Sequence, residues 1–261
     1  MTGGPPIRRP RAAGRPRTGG SAATELAWQG ARPGHLRAGS TDHEERRGGG
    51  LGHAGEVACP VTVTKDLSGL LVAIAARDSA LVRASLDAAP ALATARLARR
   101  DEFFIAHCHA QVYEGTTALH AAAFAYDRET ARDLVTRGAD IRARDRRGAE
   151  PLHTAAIGEP GTPNWNPAQQ RAVIEYLVDA GANPNAAAMG GVTPLHRAVR
   201  NRCSAAVEAL LRAGADPRAA NERGSTPSDL ARWTTGRGGV GSEPAKAEQQ
   251  IIIDLLTRAT G

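Results

Sequence analysis

Large rings are scarce in this chain. Its 261 residues hold three Phe, three Tyr and three Trp, 3% aromatic in all. A core of bulky rings is therefore not expected, and thin elements packed through Ala and Leu are. Cysteine is as sparse: Cys59, Cys108 and Cys203 are scattered, odd in number and form no C-x-x-C pair. That excludes a disulfide framework and makes a reducing cytosol the expected location. Long apolar runs are missing as well, and none approaches the ~20 residues needed to span a bilayer. Arg8-Arg9 is followed by no apolar segment, so a twin-arginine export signal is not expected. No Ser/His/Asp constellation, paired-carboxylate motif or kinase signature is present, so no catalytic residue is assigned.

Arginine is abundant instead, at 31 residues against 2 lysines, within a net charge of +6. The charge is uneven. Residues 1–58 carry nine Arg against five acids, a surplus of four, and the remaining body carries a surplus of only two. The basic balance belongs mainly to the tail, and nucleic-acid binding by the body is not expected. Residues 1–58 are rich in Gly, Pro, Arg and Ser, with few large apolar side chains, so they are read as a disordered tail. Their four excess charges, with no interleaved aromatics, make a poor nucleic-acid arm. A second reading stays open, in which this stretch lies upstream of a start near Val57 or Val61.

The body is organised around one recurring stretch. Gly191-Val192-Thr193-Pro194-Leu195-His196 reads as a helix start: Thr193 can cap a free N–H, and Pro194 falls where its missing N–H costs nothing. Leu195, Ala198 and Val199 continue it as an apolar stripe. The pattern returns as Gly115-Thr116-Thr117-Ala118-Leu119-His120 and Gly148-Ala149-Glu150-Pro151-Leu152-His153. A worn copy, Gly224-Ser225-Thr226-Pro227-Ser228-Asp229, closes the series. The leading glycines are 33, 43 and 33 residues apart, the signature of a repeat array with one insertion. A second helix follows in each copy, and three of these end at a glycine stop, Gly138-Ala139-Asp140, Gly181-Ala182-Asn183 and Gly214-Ala215-Asp216.

The T-P-L-H start, the G-A-D stop and the 33-residue period resemble the ankyrin-repeat family. The resemblance implies an all-α solenoid of antiparallel helix pairs with projecting loops, built for binding and generally without catalysis. It also implies that His120, His153 and His196 are structural hydrogen-bonding residues. Equivalent places in successive packed helices lie ~10 Å apart, too far to share a metal. No metal and no cofactor are expected.

On this reading 66–114 is an N-terminal capping helix pair with an extension, 115–147 is repeat 1, and 148–190 is repeat 2 with a loop insertion. Repeat 3 is 191–223, and 224–261 is a C-terminal capping repeat interrupted by a Gly-rich loop. In the extension, Phe103-Phe104-Ile105 reads as part of a finger tucked against the first repeats. His107-Cys108-His109 could supply at most two metal ligands and is read as structural. Ile251-Ile252-Ile253 is expected to seal the last repeat. Asp229, in the histidine position of that repeat, fits a terminal unit with no neighbour to bridge.

Two candidate sites follow. Fingertip arginines Arg144, Arg146, Arg147 and Arg223 join Arg197 and Arg200 of a first helix and Arg202 of the turn after it; Asp145 and Glu222 are the obvious acids among them. They are expected to line the concave face, through which the family usually binds, and to receive an acidic segment of another cytosolic protein. Trp165, in the insert of repeat 2, either packs back as an anchor, the preferred reading, or is displayed to that partner. The second site is a weak anion site at Arg237, Gly238, Gly239 and Ser242, where a Gly-rich loop leads into the last helix. The stretch matches G-x-G-x-x-G, but a helix rather than a strand precedes it, which argues against a dinucleotide fold. A protein-binding module acting as a monomer is the expected function. The alternative is a small-ligand or enzymatic protein using the Trp165 loop and the Gly236–Ser242 loop.

Overall fold

Side-chain caps set where the helices begin. Asp66, Asp78, Asp127 and Asn166 each accept a hydrogen bond from the backbone N–H three residues on, at 2.7–3.0 Å. The computed structural model describes residues 63–106, 110–233 and 243–261. The tail 1–58, His107-Cys108-His109, and the loop carrying Arg237, Gly238, Gly239 and Ser242 fall outside the described residues.

The elements run α1 (Leu67–Ala75), α2 (Ser79–Ala88), β1 (Phe103–Ile105), β2 (Ala110–Val112), α3 (Ala118–Phe124) and α4 (Arg128–Thr136). Then follow α5 (Pro151–Ala155), α6 (Pro167–Asp179), α7 (Pro194–Arg200), α8 (Ser204–Arg212), α9 (Pro227–Trp233) and α10 (Glu243–Thr260). Among the described residues the fold is all-α but for one antiparallel pair of strands, in which Phe103 pairs with Val112 and Ile105 with Ala110, and one isolated bridge between Ala188 and Val192. That strand pair is the form taken by the finger expected over Phe103-Phe104-Ile105.

The odd-numbered helices pack in series, α1 on α3, α3 on α5, α5 on α7 and α7 on α9. Behind them α4, α6, α8 and α10 form a second layer. The fully buried Leu71, Leu119, Leu152, Leu177, Leu195 and Leu210 belong to one continuous core between the layers. Arg137 links α4 back to α2 through the Leu86 carbonyl at 3.2 Å and the Asp87 carboxylate at 2.7 Å.

The seal at the last repeat is narrower than three consecutive isoleucines implies. Ile252 and Leu256, one helical turn apart, are buried, whereas Ile251 is 46% exposed and Ile253 only half-buried. Successive helical residues point 100° apart, so three in a row cannot share a face. The same helix also completes its neighbour: α8 starts at Cys203 without a side-chain cap, and Glu248 of α10 accepts the Ser204 N–H at 3.0 Å.

The turns inside three helix pairs place a non-glycine residue in the left-handed region: Arg77, Tyr126 and Arg202, at φ 57–59°. For an L-residue that conformation costs roughly 1–2 kcal/mol. At Tyr126 it has a consequence, because the ring turns into the repeat-2 insert and its hydroxyl donates to the Ile157 carbonyl at 2.5 Å. Trp165 packs back into the same pocket, half-buried, with its Nε1 donating to Gln170 Oε1 at 3.0 Å. Gln170 in turn donates to the carbonyls of Ala155 and Ile157. Gly158 is needed there by crowding: a Cβ would lie 2.7–2.8 Å from Trp165, Cys203 and the Tyr126 hydroxyl.

Candidate functional site

The site is built from the first helices and the fingers between repeats. Two of the fingers each turn on one side chain. Asp145 Oδ1 accepts the N–H groups of Arg147 and Ala149, at 2.8 and 2.9 Å. Asn221 Oδ1 does the same for Arg223 and Ser225, at 2.9 and 3.1 Å. Neighbouring fingers join by single backbone bonds, Arg146 N–H to Glu114 O, Met189 N–H to Arg147 O and Glu222 N–H to Gly190 O, at 2.8–3.0 Å. Gly115 must be glycine, since its φ is +82° and a Cβ would stand 2.7 Å from the Arg144 carbonyl.

The three motif histidines sit beneath this face and are buried. The backbone N–H of Thr117 points at His120 Nδ1 from 3.2 Å, so Nδ1 must accept and Nε2 must carry the proton. Nε2 then donates to Ala149 O at 3.0 Å. His153 bridges Glu150 N–H and Val192 O, and His196 bridges Thr193 N–H and Ser225 O, with Nε2 to oxygen at 3.1 Å in both. Each ring thus caps its own helix and reaches the carbonyl just before the next repeat's cap. Burial lowers the pKa of all three, and His153 falls to about 3 with help from the charge of Arg197. In the last repeat Asp229 keeps only the local half of this device. Its Oδ2 accepts the Thr226 N–H at 2.9 Å and the Thr226 hydroxyl at 2.7 Å, which holds its carboxyl below the usual range.

The arginines divide into two groups. Arg144 gives both Nε and Nη2 to Oε1 of the buried Glu150, at 3.1 and 2.9 Å. Arg146 clamps Glu102 of the extension at 2.5 and 3.1 Å and lies 4.8 Å over the Tyr113 ring. The Arg146 pair, with the Glu114 N–H, depresses the Glu102 carboxyl. Arg147 donates to the Tyr113 hydroxyl at 3.1 Å and stacks 5.4 Å from the same ring. Arg144 and Arg146 therefore already hold carboxylates of this chain, so they do not present free charge.

Arg197 and Arg200 differ from these. Both are on α7, and neither side chain has a hydrogen bond or ion pair among the described residues. Arg200 is exposed and Arg197 half-buried beside the fully enclosed His196. Desolvation lowers the Arg197 pKa; the charges of Arg147 and Arg200 act in the same sense, and Asp145 opposes them. Arg202 occupies the left-handed turn after α7, and Arg223 a fingertip.

The remaining motif positions are backbone devices. Thr117, Thr193 and Thr226 stand at helix starts, with Pro151, Pro194 and Pro227 opening α5, α7 and α9. Gly138, Gly181 and Gly214 have φ of +92°, +103° and +84°. Among the described residues there is no cluster of three or more His, Cys, Asp or Glu able to hold a metal, and no helix long and apolar enough to cross a membrane.

A family model for the ankyrin repeat matches residues 114–146, and one for ankyrin repeats in many copies matches 177–231. The stretch between the two matches includes the repeat-2 insert. No curated protein matches the chain. With the histidine bridges, the left-handed stops and the two-layer stack, these matches assign the chain to the ankyrin-repeat family.

Proposed function

We propose that the chain is a non-catalytic module that binds another protein, a cytosolic one, through the face of its first helices and fingers, the concave face in this family. Ankyrin repeats generally mediate protein–protein contacts and are typically scaffolds rather than enzymes. The observation that carries the reading is on α7, where the side chains of Arg197 and Arg200 have no hydrogen bond or ion pair among the described residues. Charged groups held on a rigid helix without internal partners are poised for an external one. The module acts as a monomer and needs no cofactor. Trp165 is not part of the face, because Gln170, Gly158 and Cys203 hold its ring inward.

The test is affinity capture from native cytosol with the full chain, beside an Arg147→Glu/Arg200→Glu variant of unchanged melting temperature. The reading expects a protein retained by the parent and lost by the variant. Retention by both would move the site elsewhere. Saturable thermal stabilisation by a phosphate compound, with no protein retained, would favour the small-ligand alternative.

A further inference from the structure

An arginine that is half-buried and unpaired costs stability. Removing a guanidinium from water is unfavourable, and the usual compensation is a carboxylate or a set of carbonyl acceptors. The chain supplies such partners readily elsewhere. Arg144 has Glu150, Arg146 has Glu102, Arg137 has Asp87 and Asp133, and Arg171 has Glu208. Among the described residues Arg197 has no such hydrogen-bonded or ion-paired partner, although it is the arginine whose surroundings desolvate it most clearly. The carboxylate whose charge bears on it is that of Asp145, whose Oδ1 accepts the finger N–H groups of Arg147 and Ala149 and which makes no hydrogen bond or ion pair with Arg197. Beside it lie two further cations, Arg147 and Arg200, which make the position still less comfortable for a lone cation and more attractive to an anion.

We infer that Arg197 is the anion receptor of this face and takes a carboxylate of an acidic segment of the partner protein. The inference rests on the protein-binding reading and deepens it. Three features favour a peptide carboxylate. The backbone of Arg197 lies on α7 between the buried His196 and Ala198, so the base of the side chain is fixed before binding. Its planar fork matches a carboxylate through two parallel N–H groups, which an ammonium cannot reproduce. Arg200 lies three residues on along α7, one turn away, and Arg147 rests against Tyr113 on the adjoining finger. An extended segment with several carboxylates could meet Arg197 first and the outer arginines after it. Arg144 and Arg146 are excluded from this role by their own carboxylates.

The position makes an unusual pair of demands on one substitution. Arg197→Gln removes a desolvated charge that Arg147 and Arg200 repel and that makes no hydrogen bond or ion pair among the described residues; desolvation and this repulsion outweigh the Asp145 attraction, so the melting temperature should stay level or rise. The same change should abolish the receptor. A residue whose removal stabilises the fold while destroying binding is placed for function.

The experiment uses the full chain and a fluorescein-labelled decapeptide of alternating Glu and Ser, with a Gln-for-Glu decapeptide as control, read by fluorescence anisotropy at low salt. The parent is expected to bind the Glu peptide and not the control, and to weaken as salt rises. Arg197→Gln should bind at least about tenfold more weakly, and Arg197→Lys several-fold more weakly, because charge alone is not enough. Arg212→Gln on α8, whose guanidinium pairs with Glu208, should bind as the parent does. If Arg197→Gln binds like the parent while Arg200→Gln and Arg147→Gln weaken, the receptor assignment is wrong and the protein-binding face stands. If the parent does not distinguish the Glu peptide from its control, the acidic-segment chemistry is overturned, and the capture experiment alone decides the face. A lower melting temperature in Arg197→Gln would show a structural role and overturn the receptor assignment as well.

Discussion

Acid should loosen this protein through its buried histidines, and His153 provides the sharpest case. Its Nδ1 accepts the Glu150 N–H and its Nε2 donates to Val192 O, so the folded site has a place for one ring proton and not for two. Burial and the charge of Arg197 push its pKa down to about 3, against about 6.5 in the unfolded chain. Between those values the unfolded state holds a proton that the folded state refuses. Stability therefore rises with pH across that window and is lost as pH falls through it. At full difference the slope is about 1.4 kcal/mol per pH unit. Acidifying from pH 6 to 4.5 should cost about 2 kcal/mol through His153 alone. His120 and His196, also lowered, add losses of the same sign. Urea unfolding followed by circular dichroism, at several pH values between 7.5 and 4.5, isolates the His153 share when the parent is compared with His153→Gln. The variant should be less stable at pH 7.5 by roughly 1–3 kcal/mol, because the bridge is lost or imperfectly replaced. On acidification the two stabilities should converge, since the parent alone pays the His153 proton. Parallel curves with a constant gap down to pH 4.5 would refute the reasoning.

Three further outcomes are expected. Gly158→Ala should lower the unfolding free energy by about 1–3 kcal/mol, read as a fall in the urea midpoint, because its Cβ meets Trp165, Cys203 and Tyr126 at 2.7–2.8 Å; an unchanged midpoint would mean the insert is not held against the stack. Ile252→Ala should cost about 2–5 kcal/mol and be felt first as faster hydrogen exchange in α9 and α10, whereas Ile251→Ala, on the 46% exposed neighbour, should cost far less. A double-mutant cycle on Glu102→Gln and Arg146→Gln should give only a weak coupling, reduced further by salt, since both side chains reach solvent; a strong, salt-independent coupling would contradict it.

Much of the architecture was legible because it repeats. A residue type that returns in register reports its environment several times over, as the histidines and the glycines with positive φ do. The left-handed turn residues were also within reach: Arg77 and Tyr126 each precede an aspartate cap, Asp78 and Asp127, 49 residues apart. The finger charges were harder. The acid that neutralises Arg146 is 44 residues away in the extension, and the one that holds Arg144 stands where a threonine cap was the reference. The fingers taken alone, with Asp145 and Glu222 as their acids, therefore carry more apparent basic charge than the folded protein leaves free. Trp165 left two readings open, because its pocket combines Gly158 of its own loop with Tyr126 and Cys203 from neighbouring repeats. No sequence spacing distinguishes an enclosed tryptophan from a displayed one in a loop rich in Gly and Pro. Nor does sequence show that Arg197 makes no hydrogen bond or ion pair among the described residues, since that depends on how the finger places Asp145 relative to α7.

Hydrogen–deuterium exchange on the full chain, with and without the captured partner, tests the central claim most directly. Exchange should slow in the fingers and inner helices, near 113–118, 144–151 and 189–200, with little change in α4, α6 and α8. Protection confined to those outer helices, with the fingers and α7 unaffected, would contradict it.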